Sequence, residues 1–398
     1  MQLAHQLKNL GTETVFAVSA AASAHAAAGH KVYPFHLGDL NLPTPANIVA
    51  AAERAMAQGH TGYCPPNGIA ALREALAAHL GAARGVDYGA DNVSVQPGGK
   101  PVIPKFLQAV MNPGDEVLYP HPGFPIYESQ IGFQGGVPVA YRYVEAADGK
   151  FVLDLDALKN SITRRTRILI YNNYHNPTGA AATPAEMAEL AELAVTHNLW
   201  VLADEAYFDI QYGGTPRSIV SLAGMPERTV ILYTYSKRFA MTGWRVGAAI
   251  GPASIIAIFD KLNVNSESCT NHFVQHAALE ALQGGDAGAW QILAELRRRR
   301  DAAVAGLNAI DGIAVTPPDS AFYLYPKVSA ILERKGLTDV NQLMERALQQ
   351  ADVSFCTSKH YGPDLPGPAD PHIRLAFSGL DLPDIEAGLA RLKVFFES

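Results

Sequence analysis

Thr234-Tyr-Ser-Lys-Arg-Phe-Ala-Met-Thr-Gly-Trp-Arg-Val-Gly247 is the stretch on which the reading of this chain turns. The apolar run 229–232 leads into it and predicts a buried strand, which breaks into small and hydroxylated residues around Lys237. Arg245 follows eight residues later, between Trp244 and Val246, where an apolar strand begins again. A lysine attacks carbonyls when burial or cationic neighbours lower its pKa, and an arginine fork suits a phosphate. A carbonyl and a phosphate on one small molecule point to pyridoxal 5′-phosphate (PLP). Most lysines are merely solvated, so Lys237 stands out only if the rest of the chain supplies the remainder of such a site.

Other strand ends do supply it. Leu199-Trp-Val-Leu-Ala-Asp-Glu-Ala-Tyr207 is a buried strand that delivers Asp204 at its end, where a carboxylate needs a cation unless it merely caps a helix. Residues 167–171 form another apolar strand, running into Asn172-Asn-Tyr-His-Asn-Pro-Thr-Gly179. Residues 92–95 predict a strand followed by Gln96-Pro-Gly-Gly-Lys-Pro101 and a helix, a turn whose backbone N–H groups can close on an anion. A lone Gly-Gly is also an ordinary turn, and no Gly-x-Gly-x-x-Gly is present to support a dinucleotide fold. Thr183-Pro-Ala-Glu186 reads as a capping box opening a helix. Strands and helices alternate from about residue 90 to 250, the pattern of a mostly parallel sheet with helices on both faces. Ligands of such sheets sit beyond the carboxyl ends of the strands, where Asn176, Asp204 and Lys237 all fall.

Taken together and in this order, the motifs resemble those of class I/II PLP-dependent aminotransferases of fold type I, over nearly the whole chain. Ser-Lys-x-x-x-Met-Thr-Gly-Trp-Arg-x-Gly is the lysine signature, and Asn-Pro-Thr-Gly and His372-Ile-Arg-Leu-Ala-Phe377 are two more. The resemblance implies an α/β fold with a seven-stranded type of central sheet, mostly parallel, and a smaller α+β domain. Residues 46–290 would form the large domain, 291–398 the small one, and 1–45 an arm and part of the small domain. It implies that Lys237 bonds PLP as a Schiff base and shuttles the substrate's Cα proton, while Asp204 pairs with the pyridine nitrogen. Asn176 and Tyr207 would contact the phenolic oxygen O3′, and Phe124 would stack on the ring. Gly99, Lys100, Thr234, Ser236 and Arg245 would anchor the phosphate, with Tyr63 reaching across a homodimer to the partner's cofactor. Arg374 would grip the substrate α-carboxylate as a bidentate fork, approached by the backbone of Gly38. Lys100 with Thr12 and Thr14 resembles a subgroup that holds the distal carboxylate of aspartate. Leu40, Tyr174, Ser320 and Cys356 depart from the family pattern.

Bulk composition agrees with a globular enzyme. At 398 residues the chain is long enough for two domains, and its 17% charged content is that of a folded protein. The net charge of −7 argues against a nucleic-acid surface. The one basic cluster, Arg297 to Arg300, reads as a solvated helix face. Three cysteines without metal-like spacing suit a reducing, cytoplasmic setting, and no metal site is expected. Apolar stretches are too broken for a membrane span, and the Ala-rich segment after Val15 reads as an amphipathic helix. The expected activity is transfer of an amino group from an L-α-amino acid, aspartate or glutamate among the candidates, to a 2-oxo acid. A PLP-dependent carbon–sulfur β-lyase is the rival on the same fold. A PLP-sensing regulator is disfavoured because the family match begins near residue 12, leaving no room for a DNA-binding domain.

Overall fold

The computed structural model describes residues 2–367 and 370–398. The run 229–232 lies in the strand Thr229–Thr234, all six residues of which are buried. It belongs to an eight-stranded sheet. The spatial order is Val93–Gln96, Gly247–Ile250, Thr229–Thr234, Trp200–Asp204, Thr166–Tyr171, Glu116–His121, Val137–Glu145, Phe151–Leu153. Pairing is parallel from Thr229–Thr234 through to Val137–Glu145. Gly247–Ile250 runs antiparallel to both of its neighbours. The expected seven strands are joined by an eighth, Phe151–Leu153, which folds back antiparallel on Val137–Glu145.

The unbroken apolar runs follow from coverage on both faces. Successive side chains of a strand point to opposite sides. In Thr166–Tyr171, Ile168 and Ile170 pack with Phe106, Tyr127 and Phe259, while Leu169 and Tyr171 pack with Met187 and Leu190. Each such fully buried aliphatic or aromatic side chain contributes about 1.5–3 kcal/mol. The helix Pro184–Thr196 begins on the predicted capping box: the Glu186 amide donates to Thr183 Oγ1 at 3.2 Å, and the Thr183 amide donates to Glu186 Oε2 at 2.7 Å.

The C-terminal part builds a small antiparallel sheet of Tyr323–Leu324, Ile373–Ala376 and Cys356–Thr357. The helices Ala287–Asn308, Val340–Ala351 and Leu382–Glu397 pack around the same core. Tyr33–Pro34 pairs in parallel with Val353–Ser354, so the N-terminal segment packs with the C-terminal one. Their shared core also takes in Tyr207 and Phe208, which follow the large sheet's Trp200–Asp204. The N-terminal helix Val15–Ala27 buries only Val18 and Ala22, a narrower apolar face than expected.

The basic cluster is not all solvated. Arg299 is 2% exposed because it shares a helix face with Leu296 and Ala303. Its guanidinium donates to Glu295, Asn41, Asp381 and the Ser378 carbonyl, which satisfies the buried charge. Among the described residues no helix is long and apolar enough to cross a membrane.

Candidate active site

The carboxyl ends of the parallel strands open into a cavity of about 290 Å³, whose lining also includes Tyr323, Tyr361 and Arg374 from the C-terminal part. Every predicted site residue lines it except Thr12, Thr14 and Tyr63. The strands set this arrangement: Asp204 and Thr234 are the last residues of theirs, and Asn172 and Lys237 follow within a few positions.

Lys237 donates from Nζ to the Gly38 carbonyl at 2.8 Å. Burial pulls its pKa down to about 8; Asp39 opposes the shift, and the positive charges of Arg374 and Arg245 add to it. The amine is thus part-neutral near physiological pH, the form a nucleophile or proton acceptor needs. The Asp204 carboxylate is buried and accepts from the Tyr127 hydroxyl at 2.5 Å and the Ala206 amide at 3.1 Å. Burial raises its pKa, which those two hydrogen bonds oppose. A buried carboxylate held by two neutral donors and lining a cavity is poised for a cation from within it. Tyr207 shares a 2.6 Å hydrogen bond with the Tyr323 hydroxyl.

A group of hydroxyls, an arginine and a glycine turn lines another part of the cavity. Thr234 Oγ1 and Ser236 Oγ are 2.8 Å apart. Arg245 donates to the carbonyls of Thr242 at 2.7 Å and Pro97 at 3.5 Å, and among the described residues it has no carboxylate partner. Gly98 has φ +100°, and a Cβ there would collide with the Arg245 guanidinium. A Cβ on Gly99 would come within 2.7 Å of Leu232 Cδ2 and 3.3 Å of Thr234 Cβ. Only glycine lets this turn close on that strand end.

Arg374 is buried between the rings of Tyr323 and Tyr361, whose centroids lie 4.5 and 5.0 Å from its Cζ. Its Nη1 donates to Asn176 Oδ1 at 3.1 Å and its Nη2 to the His36 carbonyl. Its Nε is buried and has no hydrogen-bond partner among the described residues. Burial and the Arg374 charge push the His36 pKa down to about 4, so that imidazole is neutral and adds no charge beside the guanidinium.

Several expectations change. Thr14 is exposed and lies off the cavity; its neighbour Glu13 lines the wall instead and forms an ion pair with Lys100. Thr14 begins the turn into the helix, which directs its side chain away. Gly38 meets Lys237 through its carbonyl, and a Cβ there would collide with the Tyr323 hydroxyl. Tyr63 is 88% exposed, far more open than a tyrosine serving its own chain's cavity. Ser320 and Cys356 do not line the cavity: Ser320 donates to the Ile210 carbonyl at 2.7 Å, and Cys356 packs 3.8 Å behind Arg374 Nη2. Tyr127, Tyr323, Tyr361, Asn172 and Glu13 are the contributors that motif reading missed. Only Asn172 carried a local signal, its place at a strand end: its side chain accepts from the Asn176 amide and donates to the Asp204 carbonyl.

These residues fit pyridoxal phosphate: a cation-seeking buried carboxylate, a buried amine of lowered pKa, and a glycine turn with hydroxyls and an uncommitted arginine. Fold and site together define a PLP-dependent enzyme with its lysine at the exit of a central strand. The chain belongs to the class I and II aminotransferases, whose family pattern matches residues 31–392. It is 31% identical to a Bacillus subtilis aspartate aminotransferase, over all of this chain and 99% of the relative. It is 34% identical to a probable aspartate/prephenate aminotransferase of Aquifex aeolicus, over 99% of this chain and 98% of that one. A Thermus thermophilus aspartate aminotransferase solved with maleate superposes with a TM-score of 0.91 at 31% identity, covering 99% of this chain and all of the other.

Proposed function

We propose that this aminotransferase works by a ping-pong exchange between an L-α-amino acid and a 2-oxo acid, with a dicarboxylic amino acid such as aspartate or glutamate as one of its substrates. The observation that carries the site assignment is the enclosure of Lys237, Asp204 and Arg374 in one cavity. When bound, the cofactor supplies an electron sink for the Cα carbanion. Asp204 would hold the pyridine nitrogen protonated, Asn176 and Tyr207 would meet O3′, and Phe124 would cover a ring face and exclude water. Thr234, Ser236, Arg245 and the Gly99–Lys100 backbone would hold the phosphate. Arg374 would fix the α-carboxylate, its planar fork setting the direction of the Cα–H bond. Lys237 would then take the Cα proton.

We propose a homodimer in which Tyr63, exposed here, donates to the cofactor phosphate of the partner's site. Residues 1–45 are read as an arm and part of the small domain, 46–290 as the large domain and 291–398 as the small C-terminal one. Tyr63→Phe should then weaken PLP binding by about tenfold, the worth of one charge-assisted hydrogen bond, as measured by coenzyme titration. Unchanged binding would remove Tyr63 from the site.

Dicarboxylate use rests on Lys100, the cavity-lining cation left once phosphate and α-carboxylate are assigned, and on the likeness to aspartate aminotransferases. A donor and acceptor screen tests the activity. Release of pyruvate from a cysteine conjugate without any amino acceptor would favour β-lyase chemistry instead. Lys100→Ala is expected to lower kcat/KM for aspartate about tenfold more than for alanine. Equal losses for both would take Lys100 out of substrate recognition.

A further inference from the structure

Lys100 is not free to receive a substrate anion. Its ammonium is ion-paired with Glu13, whose side chain is 17% exposed against 47% for the lysine. Both residues line the cavity. The placement of Glu13 is fixed from both sides. Upstream, the Gly11 carbonyl accepts from Ser129 Oγ at 3.2 Å, on the helix Ile126–Phe133. Downstream, the helix Val15–Ala27 is tied in by Ser19, whose Oγ lies 3.1 Å from His36 Nε2. A carboxylate ahead of a helix start is also favoured by the helix dipole.

The cavity's cations are Lys100, Lys237, Arg245 and Arg374, and its carboxylates are Glu13, Asp39 and Asp204. Arg245 is assigned to the phosphate, Arg374 to the α-carboxylate and Lys237 to the reacting centre. Lys100 is then the one cation left for a side-chain anion, and Glu13 already neutralises it. A distal carboxylate arriving there would meet Glu13 as a like charge, which selects against it. An uncharged side chain meets a closed ion pair flanked by the apolar Val15, Phe16 and Ile103.

We infer that Glu13 is a specificity-determining residue: it occupies Lys100 as an internal counter-anion, so that the site closes over amino acids with uncharged side chains and admits a dicarboxylate only when Glu13 releases Lys100. A ping-pong enzyme must seat two different side chains in one place, and an exchangeable internal anion lets one pocket take an acidic and a neutral partner in turn. The inference rests on the reading of Lys100 as the distal cation.

The test is the ratio of kcat/KM for aspartate to that for alanine in the wild type, Glu13→Gln, Lys100→Ala and the double variant. Removing the competing charge should raise the ratio about tenfold in Glu13→Gln. The change should lie mainly in KM for aspartate, because the group removed acts on binding. In the double variant, Glu13→Gln should raise the ratio less than it does with Lys100 present, because only the like-charge repulsion is relieved and no lysine is left to release. Glu13→Ala repeats the measurement without an amide that could keep the lysine engaged. If Lys100→Ala lowers the ratio while both Glu13 variants leave it unchanged, Lys100 keeps its role and Glu13 loses its own. If Lys100→Ala leaves the ratio unchanged, the reading of Lys100 fails and the role of Glu13 falls with it.

Discussion

Replacing Lys237 by alanine is expected to lower kcat by about 10⁴-fold, the upper end of what one positioned acid–base group supplies. Two tasks fall on its one nitrogen, holding the coenzyme and moving the Cα proton, and alanine can do neither. The protein should still fold, since among the described residues the Lys237 side chain makes one hydrogen bond, to Gly38, and one longer contact, with its Nζ 5.5 Å from the centre of the Phe322 ring. Single-turnover assays with stoichiometric enzyme would measure the loss. Borohydride treatment of the coenzyme-loaded wild type should leave a reduced pyridoxyl mass on residue 237 and none in Lys237→Ala. Protein that stays colourless with added coenzyme, or a label on another lysine, would overturn the assignment. The lowered pKa also predicts a pH trend in the coenzyme-free protein. The folded value, about 8, lies below the unfolded value of 10.5, so between the two the unfolded chain binds more protons. Stability should therefore rise as pH increases from about 8 toward 10.5 and lose this slope in Lys237→Met.

The parts of the site that could be read in the sequence are those whose signal is local. Lys237, Asp204 and Asn176 each follow a short apolar run, and an apolar run predicts both a buried strand and where it ends. The glycine turn before Lys100 was legible for the same reason. Tyr127, Tyr323 and Tyr361 were not. Each is an aromatic in an ordinary core pattern, and its role comes from a partner far away in the chain: Tyr127 lies 77 residues from Asp204, and Tyr361 stacks on Arg374 from outside that strand. Arg299 misled because four consecutive arginines look solvated, whereas a helix turns one of them toward the core. Glu13 carries no signal of its own in the sequence, because its neighbours Thr12 and Thr14 are the residues that match the family pattern. Which of three adjacent side chains faces the cavity depends on the turn entering the helix, which local composition does not specify.

Asp204→Asn carries the second large effect. Asparagine keeps the size of the side chain and can still accept the Tyr127 hydrogen bond, but it removes the negative charge. Breaking one side of a buried ion pair costs about 3–5 kcal/mol, so kcat should fall roughly 10²- to 10³-fold or more. The loss should appear in kcat and kcat/KM alike, because the charge matters most when the ring takes up electrons from Cα. Tyr127→Phe supplies the contrast. It removes the 2.5 Å hydrogen bond and leaves the carboxylate, so its cost should be that of one hydrogen bond to a charged group, about 1.5–3 kcal/mol at most. A residue that merely supports the strand end would show the reverse order, with the isosteric asparagine mild and the loss of the tyrosine hydroxyl severe. An Asp204→Asn enzyme within tenfold of wild type would mean that this carboxylate is a buried structural acid, held by Tyr127 and the Ala206 amide, with no cation to meet in the cavity.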